Sequence, residues 1–355
     1  MRASILFPSP PQPQYKITMS QFRNLVFEGG GVKGIAYSGA IAVLEEQNIL
    51  GDIRRVAGTS AGAITAVLLA LGSDSKKIGS IIGGTDFRQF MDDSFGFLGD
   101  AHRLVEDYGW FKGDKFGNWM QKQIYACAGN KDLTFGQLKR LATDQPTVFR
   151  ELFMVGTNLS LQWPMVYSAE NTPDMKIWEA TRISMSIPLF FAAIKREGQV
   201  LVDGGVTWNY PLDLFDDRKY LSPAVAGTAP GYPTVYDDNH VFNPETLGFR
   251  VDTQDEIKAE KEGWRLPPAE ISNLVDYLKS LVGFMGDMAN KMHLHDNDWH
   301  RTVALDAAGV RTTDFSLPDE KVQLLIANGR SGAETYFKWF NDQTSDPVPK
   351  NRLTP

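Results

Sequence analysis

The sequence is short of cysteine, of basic charge and of long apolar runs, and each shortage excludes a class of protein. Its 355 residues contain one cysteine, Cys127, so no disulfide can form within the chain and a reducing compartment is expected. The net charge of −7 leaves no basic surplus to neutralise phosphates, so we expect no nucleic-acid partner. The same charge argues against purely electrostatic docking on anionic membranes.

The apolar runs are too short for a membrane span. The longest, at residues 61–72 and 183–194, contain about a dozen residues each, whereas a spanning helix needs about 20. Near the N-terminus, the run of residues 4–7 that follows Arg2 ends at Pro8, so it is too short for the apolar region of a signal peptide. We therefore expect a cytoplasmic protein; transient peripheral membrane contact and delivery to a target cell stay open.

Strands and helices alternate in the first part of the chain. Strands are predicted at residues 24–27 and 53–57, and they are followed by helices at 34–47 and 61–71. This order is typical of a parallel sheet with crossover helices. Further helices are predicted at 134–141, 178–185 and 319 to about 328, and further strands at 151–157, 199–202, 246–251 and 302–305.

Three consecutive segments are predicted along the chain. Residues 1–21 are proline-rich and are predicted to form a flexible tail. Residues 22–330 are predicted to form the main domain, in which 220–268 is a loop-rich insertion, and residues 331–355 a C-terminal extension.

Ser60 stands in the pattern Gly-Thr-Ser-Ala-Gly. This pattern is typical of a sharp turn from strand to helix that exposes a nucleophilic hydroxyl, and its neighbours Gly58, Thr59, Ala61 and Gly62 are small enough for the turn. Alone the pattern is weak, because chance gives on the order of 0.1 matches in a chain of this length. A solvated serine in a glycine-rich turn therefore stays an alternative.

A glycine-rich segment follows the first strand and precedes the first helix. It fits a dinucleotide-binding loop, with Asp52 as a ribose ligand, but such an acid should end the second strand and Asp52 precedes it. The alternatives are a structural loop or an oxyanion hole, in which backbone N–H groups stabilise a developing negative charge. We favour the oxyanion hole, built from Gly29, Gly30, Gly31, Val32, Lys33 and Gly34.

Asp203 follows a predicted strand and precedes Gly204 and Gly205. A carboxylate at the end of a parallel strand lies at the edge where sites form in α/β sheets, although an Asp-Gly turn is also common elsewhere. About 35 ordered residues precede Ser60, too few for the α/β-hydrolase fold with its Ser-Asp-His triad. Without a histidine, Asp203 itself would have to be the base.

The histidines suggest neither a triad nor a metal site. His240, His293, His295 and His300 follow Asp203 in triad order, but the fold argument above disfavours them. The spacing within residues 293–300 matches no zinc pattern, so we interpret this segment as a polar loop that enters a strand. We expect no metal and no cofactor.

In this order and spacing, the serine, glycine-rich and aspartate patterns resemble the patatin-like phospholipase family. The resemblance extends to TRISMSIPLFF at 181–191, DGGVTWNYPLDLF at 203–215 and DNDWHRTVALDAAGVRTTDFSL at 296–317, and covers roughly residues 22–330. Lys33 stands where many relatives have arginine, and a lysine lacks the planar fork needed for bidentate phosphate binding.

The resemblance implies a three-layer α/β/α fold with a central, mostly parallel sheet. It also implies calcium-independent hydrolysis of phospholipids or other acyl-ester lipids, with Ser60 as nucleophile, Asp203 as base and the glycine-rich segment as oxyanion hole. Two alternatives stay open: a non-catalytic regulatory or scaffold protein that retains the motifs, and a thioesterase or carboxylesterase for soluble substrates. The sequence does not specify the oligomeric state.

Apolar residues recur at three- and four-residue steps between residues 274 and 292, which predicts one stripe of a helix. Most such stripes pack on a sheet. Met285, Met288 and Met292 favour instead a lipid-facing element, because unbranched thioether side chains adapt to varied apolar partners.

Overall fold

The computed structural model describes residues 20–90, 108–227, 239–257, 268, 271–272, 274–312 and 314–353. The predicted flexible tail lies, except for residues 20 and 21, outside the described residues. The strands are β1 (Asn24–Phe27), β2 (Arg55–Thr59), β3 (Gly109–Phe111), β4 (Glu151–Asn158), β5 (Trp163–Ser168), β6 (Leu189–Phe191), β7 (Ile194–Arg196), β8 (Gln199–Asp203), β9 (Thr246–Asp252) and β10 (Thr302–Asp306). The helices are α1 (Ala36–Glu46), α2 (Ala61–Ala70), α3 (Ser75–Gly83), α4 (Asp114–Ala128), α5 (Phe135–Asp144), α6 (Ile177–Ser184), α7 (Leu274–His293) and α8 (Asp319–Asn341).

A single sheet of eight strands organises the described part of the chain. Its order is β10-β9-β1-β2-β4-β8-β7, with β5 paired to β4, while β3 and β6 form a separate pair. The pairs from β10 through to β4 are parallel. The predicted α/β fold with a central, mostly parallel sheet is therefore confirmed.

The sheet is buried on both faces. Leu25 and Val56 belong to the larger apolar core, whereas their neighbours Val26 and Ala57 belong to a second core that includes Phe215. This alternation follows from the two-residue period of a strand, since successive side chains point to opposite faces. Continuous apolar stretches such as residues 25–27 are therefore what a doubly covered parallel strand requires.

The direction of β8 differs from the prediction. We expected Asp203 at the end of a parallel strand, but β8 runs antiparallel to both β4 and β7. The reason is local: only Glu197 and Gly198 separate β7 from β8, with φ values of +52° and +76°, so the chain reverses in a hairpin.

The last elements of the chain are integral to the sheet. Strand β9 confirms the strand predicted at residues 246–251 inside the loop-rich segment; all its residues are buried and it pairs with β1. Helix α8 continues to Asn341, beyond the predicted end near residue 328, so residue 330 falls inside a helix. The helix continues through Gly329, although glycine is common just after the end of a helix.

Helices α1 and α8 touch through their backbones at two glycines. A Cβ atom on Gly329 would lie 1.9 Å from the Ala36 carbonyl oxygen, and one on Gly39 would lie 1.9 Å from the Ile326 carbonyl oxygen. These glycines let the two helices approach closely, so packing compensates for their low helix propensity.

Replacing Gly329 by alanine should therefore destabilise the protein. In an ordinary helix this change adds about 1 kcal/mol of stability, but here the new methyl group must push α8 away from α1, which costs about 1–3 kcal/mol. Urea unfolding of Gly329→Ala should give a lower midpoint than wild type. The exposed Ser331→Ala variant of the same helix is the control; equal midpoints for both variants would contradict the contact.

Candidate active site

Strands β2 and β8 meet end to end on one edge of β4. Thr59 of β2 pairs with Val155, and Asp203 of β8 pairs with the next residue, Gly156. Because β5 occupies the other edge of β4 over residues 153–158, β2 and β8 must share the remaining edge. They run in opposite directions, so their carboxyl ends face each other and bring residues 60 and 203 together.

Ser60 occupies a strained turn between β2 and α2. Its φ and ψ are +54° and −125°, in a region that non-glycine residues rarely adopt. The flanking glycines make the turn possible: a Cβ atom on Gly58 would lie 2.3 Å from the Gly62 carbonyl oxygen, and one on Gly62 would lie 2.3 Å from the Phe27 carbonyl oxygen. Ala61, the first residue of α2, would approach a Cβ atom on Gly34 to 3.3 Å. Strain of this kind is common at functional sites.

Ser184 supports this turn, and sequence reasoning missed it. The Ser60 backbone N–H donates to Ser184 Oγ at 2.9 Å, and the Ser184 hydroxyl donates to the Val155 carbonyl oxygen at 2.6 Å. Thr59 adds a second anchor, because its hydroxyl donates to the Trp208 carbonyl oxygen at 3.0 Å. The signal for Ser184 was present in the segment TRISMSIPLFF, but its role depends on a contact that no local pattern reveals.

Asp203 is buried beside Ser60. Its Oδ1 accepts the Gly205 N–H at 2.7 Å, while Oδ2 is buried with no hydrogen-bond partner among the described residues. Burial raises the pKa of Asp203 to about 7, although the Gly205 N–H and the nearby Ser60 hydroxyl lower that pKa. The Ser60 hydroxyl itself contacts Met185 Sδ at 3.7 Å. The carboxylate can therefore accept a proton near neutral pH.

The glycine-rich segment offers two free backbone donors. Among the described residues, the Gly30 and Gly31 N–H groups have no hydrogen-bond acceptor. Three of the other predicted donors are occupied: Gly29 N–H donates to Asn209 O at 3.0 Å, Val32 N–H to Thr312 O at 3.3 Å, and Lys33 N–H to Gly30 O at 3.2 Å. The Lys33 ammonium group donates to the Val251 carbonyl oxygen at 2.8 Å.

One cavity of about 510 Å³ lies at these groups, and from the glycine-rich segment Gly29, Gly30 and Lys33 line it. Ser60, Asp203, Gly30 and Gly205 all line it, so the structure brings together residues from the serine, glycine-rich and aspartate patterns. Apolar side chains also line it, from Ile187, Pro188, Val206, Met285 and Val310. Position 204 must be glycine for a structural reason, because a Cβ atom there would lie 2.4 Å from the Val155 carbonyl oxygen.

None of the four histidines in the described ranges lines this cavity. His293 stacks on Trp208 and contacts the Thr207 carbonyl oxygen and Asp213. The His300 ring accepts the Lys350 N–H at 3.1 Å. Within the part of the chain that the structure describes, no group of three or more His, Cys, Asp or Glu side chains could hold a metal ion.

Glu28 forms a buried polar network below the glycine-rich segment. Its Oε1 accepts from Asn290 of α7 at 2.5 Å and from Asn209 at 3.3 Å, and Oε2 accepts the Val251 N–H at 3.2 Å. Burial raises the pKa of Glu28, while the nearby Arg250 guanidinium lowers it. Glu28 directly precedes Gly29, and this position next to the glycine-rich segment is the only feature of the sequence that indicates a role for it.

Comparison with known proteins identifies the family. A family model described as patatin-like phospholipase matches residues 25–216. The uncharacterized protein YqhO of Bacillus subtilis (strain 168) is 30% identical over 323 residues, which cover 88% of this chain and 97% of the relative. The chain belongs to the patatin-like phospholipase family. Membership in this family supports the interpretation that the protein is a lipid-hydrolysing enzyme.

Other relatives agree at lower coverage. The uncharacterized protein R571 of Acanthamoeba polyphaga mimivirus is 33% identical over 57% of this chain and 64% of the relative. The protein named "Probable lipid hydrolase 463L" of Invertebrate iridescent virus 6 is 23% identical over 56% of this chain and 65% of the relative. The crystal structure of VipD from Legionella pneumophila shares the fold, with a TM-score of 0.54, 18% identity, and coverage of 90% of this chain and 67% of that chain.

None of the described helices is both long and apolar enough to cross a membrane.

The buried carboxyl group of Asp203 should make stability depend on pH. Its pKa is raised from 3.8 to about 7, so between these values the folded state binds a proton that the unfolded state releases. The free energy of unfolding should therefore fall as pH rises through this window. Asp203→Asn cannot ionise, so its urea midpoint should rise relative to wild type from pH 5 to pH 8. The exposed Asp174→Asn variant should follow wild type; if Asp203→Asn does so as well, the carboxylate is not desolvated.

Proposed function

We propose that the protein is a lipid acyl hydrolase of the phospholipase A type, with Ser60 as nucleophile and Asp203 as general base. One observation carries the proposal: the strained Ser60 and the unpartnered carboxylate oxygen of Asp203 line the same cavity as a glycine loop with free N–H donors. Each of these features costs stability on its own. Their convergence at one point is typical of a catalytic site.

The chemistry follows from the positions of these groups. Asp203 takes the Ser60 proton as the serine oxygen attacks the ester carbonyl, and the Gly30 and Gly31 N–H groups stabilise the negative charge on the carbonyl oxygen. Asp203 then gives this proton to the leaving alkoxide, which departs as an alcohol, and the acyl group stays bonded to Ser60. In the second half, Asp203 takes a proton from water, the hydroxide attacks the acyl ester, and Ser60 recovers its proton.

A pKa near 7 suits a base that must accept and release a proton in each half reaction. A carboxylate with an ordinary pKa near 4 would be a weak base at neutral pH, because proton transfer to it is unfavourable. Burial of Asp203 raises its basicity without a histidine. The cavity supports an acyl-ester lipid as substrate, because apolar side chains such as Ile187 and Met285 line it together with charged ones such as Lys33 and Arg311.

Ser60→Ala should abolish hydrolysis of phospholipid vesicles and of a soluble short-chain ester, by about 10⁴-fold or more. The fold should persist, because the turn is anchored by the Ser60 backbone N–H, which the substitution keeps, and the hydroxyl makes only a weak contact to Met185 Sδ besides lying near Asp203. Mass spectrometry should also detect a fluorophosphonate adduct on Ser60 in wild type and none in the variant. Full activity of Ser60→Ala would refute the mechanism, and a folded wild type that hydrolyses neither ester would favour the scaffold alternative.

Activity should require ionised Asp203. We expect kcat/KM for the soluble ester to rise with pH and level off above about pH 7, since only the carboxylate accepts the Ser60 proton. Asp203→Asn should lose several orders of magnitude of activity at every pH. His293→Ala, the control, removes a histidine outside the cavity and should keep the wild-type profile. A histidine variant as damaged as Asp203→Asn, but still folded, would restore the triad.

A further inference from the structure

Helix α7 carries a row of exposed apolar side chains. Tyr277, Phe284 and Met288 are 52%, 61% and 41% exposed, and Leu281, between them, is half-buried. The steps of four, three and four residues place all four side chains on one side of the helix. We call this set the α7 ridge.

The opposite side of α7 is fixed to the domain. Ala289 and Asn290 are buried, and the Asn290 amide donates to Glu28 Oε1 at 2.5 Å. A Cβ atom on Gly286 would lie 3.6 Å from Asn209 Nδ2, and Met285 lines the catalytic cavity together with Gly286. The predicted stripe is therefore divided: Met285 faces the cavity, whereas Met288 belongs to the exposed ridge.

We propose that the α7 ridge inserts into the surface of a lipid bilayer and thereby places the mouth of the catalytic cavity against the membrane. The proposal rests on the lipid hydrolase function proposed above. The same helix carries the ridge and lines the cavity through Ser280, Gly283 and Met285. A lipid that leaves a bilayer beside the ridge can therefore enter the cavity without crossing water.

Side-chain chemistry favours a bilayer over other occupants. Tyrosine and phenylalanine partition into the interfacial region of membranes, and methionine adapts to disordered acyl chains. The chain has a net charge of −7, so apolar insertion must supply the affinity that Coulomb attraction to anionic lipids cannot. The exposed Lys291 lies one turn after Met288, where an ammonium group can reach the headgroup region.

Vesicle sedimentation of the full chain tests the ridge. The Ser60→Ala background is used, so that phosphatidylcholine vesicles are not consumed while binding is measured. The double variant Phe284→Ser with Met288→Ser should lower the partition coefficient about 10-fold or more, because two apolar side chains no longer leave water. The matched control is Tyr125→Ser with Trp163→Ser, whose side chains are 61% and 67% exposed outside the cavity lining. It should bind as the parent does.

Several outcomes would overturn the proposal. Unchanged binding of the ridge variant, or equal losses in ridge and control variants, excludes the ridge as the contact. Ridge-dependent dimers in light scattering would assign the surface to a second copy of the chain. If the ridge variant melts at a lower temperature than its parent, Met288→Trp provides the second test: it should strengthen vesicle binding, and unchanged binding would count against insertion.

Activity measurements separate this proposal from the proposed function. With Ser60 intact, the ridge variant should keep wild-type hydrolysis of the soluble ester and lose about 10-fold or more on vesicles. Equal losses on both substrates would contradict a role limited to docking. Conversely, a wild type inactive on both substrates, together with ridge-dependent binding of Ser60→Ala, would reject the hydrolase and retain the membrane surface.

Discussion

The shared edge of β4 is the constraint on which the site depends. Val155 and Gly156 are consecutive, yet they pair with strands of opposite direction: β2 ends at Thr59, one residue before Ser60, and β8 ends at Asp203. A slip of one residue in either pairing would turn every side chain of that strand to the other face of the sheet. Buried apolar residues on both faces oppose such a slip, because the slip would exchange partners between two differently shaped cores. The packing of the hydrophobic core thus fixes the positions of Ser60 and Asp203 relative to each other.

The site also concentrates costs that the rest of the domain must offset. Ser60 holds a strained backbone, Asp203 and Glu28 are carboxyl groups whose burial raises their pKa values, and two N–H groups lack acceptors among the described residues. Strain and buried, partly satisfied polar groups cost about 1–3 kcal/mol each. Such costs are tolerated where preorganisation is useful, since donors and a base already in place need no rearrangement when charge develops.

Sequence reasoning predicted the parts of the site that depend on local geometry. Ser60, Gly58 and Gly62 were accessible because one turn requires small residues at fixed positions. Asp203 was accessible as a carboxylate at the end of a predicted strand and through the family resemblance, but the predicted strand direction was wrong, because direction depends on the hairpin from β7. Ser184 contacts Ser60 although the two residues are 124 positions apart in the sequence, and a local sequence pattern cannot predict a contact over that separation.

Helices show the same limit. The period of residues 274–292 predicted a stripe, but a period gives only relative angles, so it could not separate the cavity-facing Met285 from the exposed Met288. The predicted end of α8 was wrong for a different reason. Gly329 breaks helices in isolation, whereas here its missing side chain is what allows close contact with α1.

The position of β9 has a consequence for biosynthesis. Strand β1 leaves the ribosome well before its neighbour β9, because β9 pairs with it through Thr246, which lies 222 residues after Asn24. At about 5–20 residues per second, translation of that interval takes about 10 to 45 s, during which one edge of β1 lacks its partner. Exposed strand edges invite aggregation, so the nascent chain calls for chaperone protection over this interval.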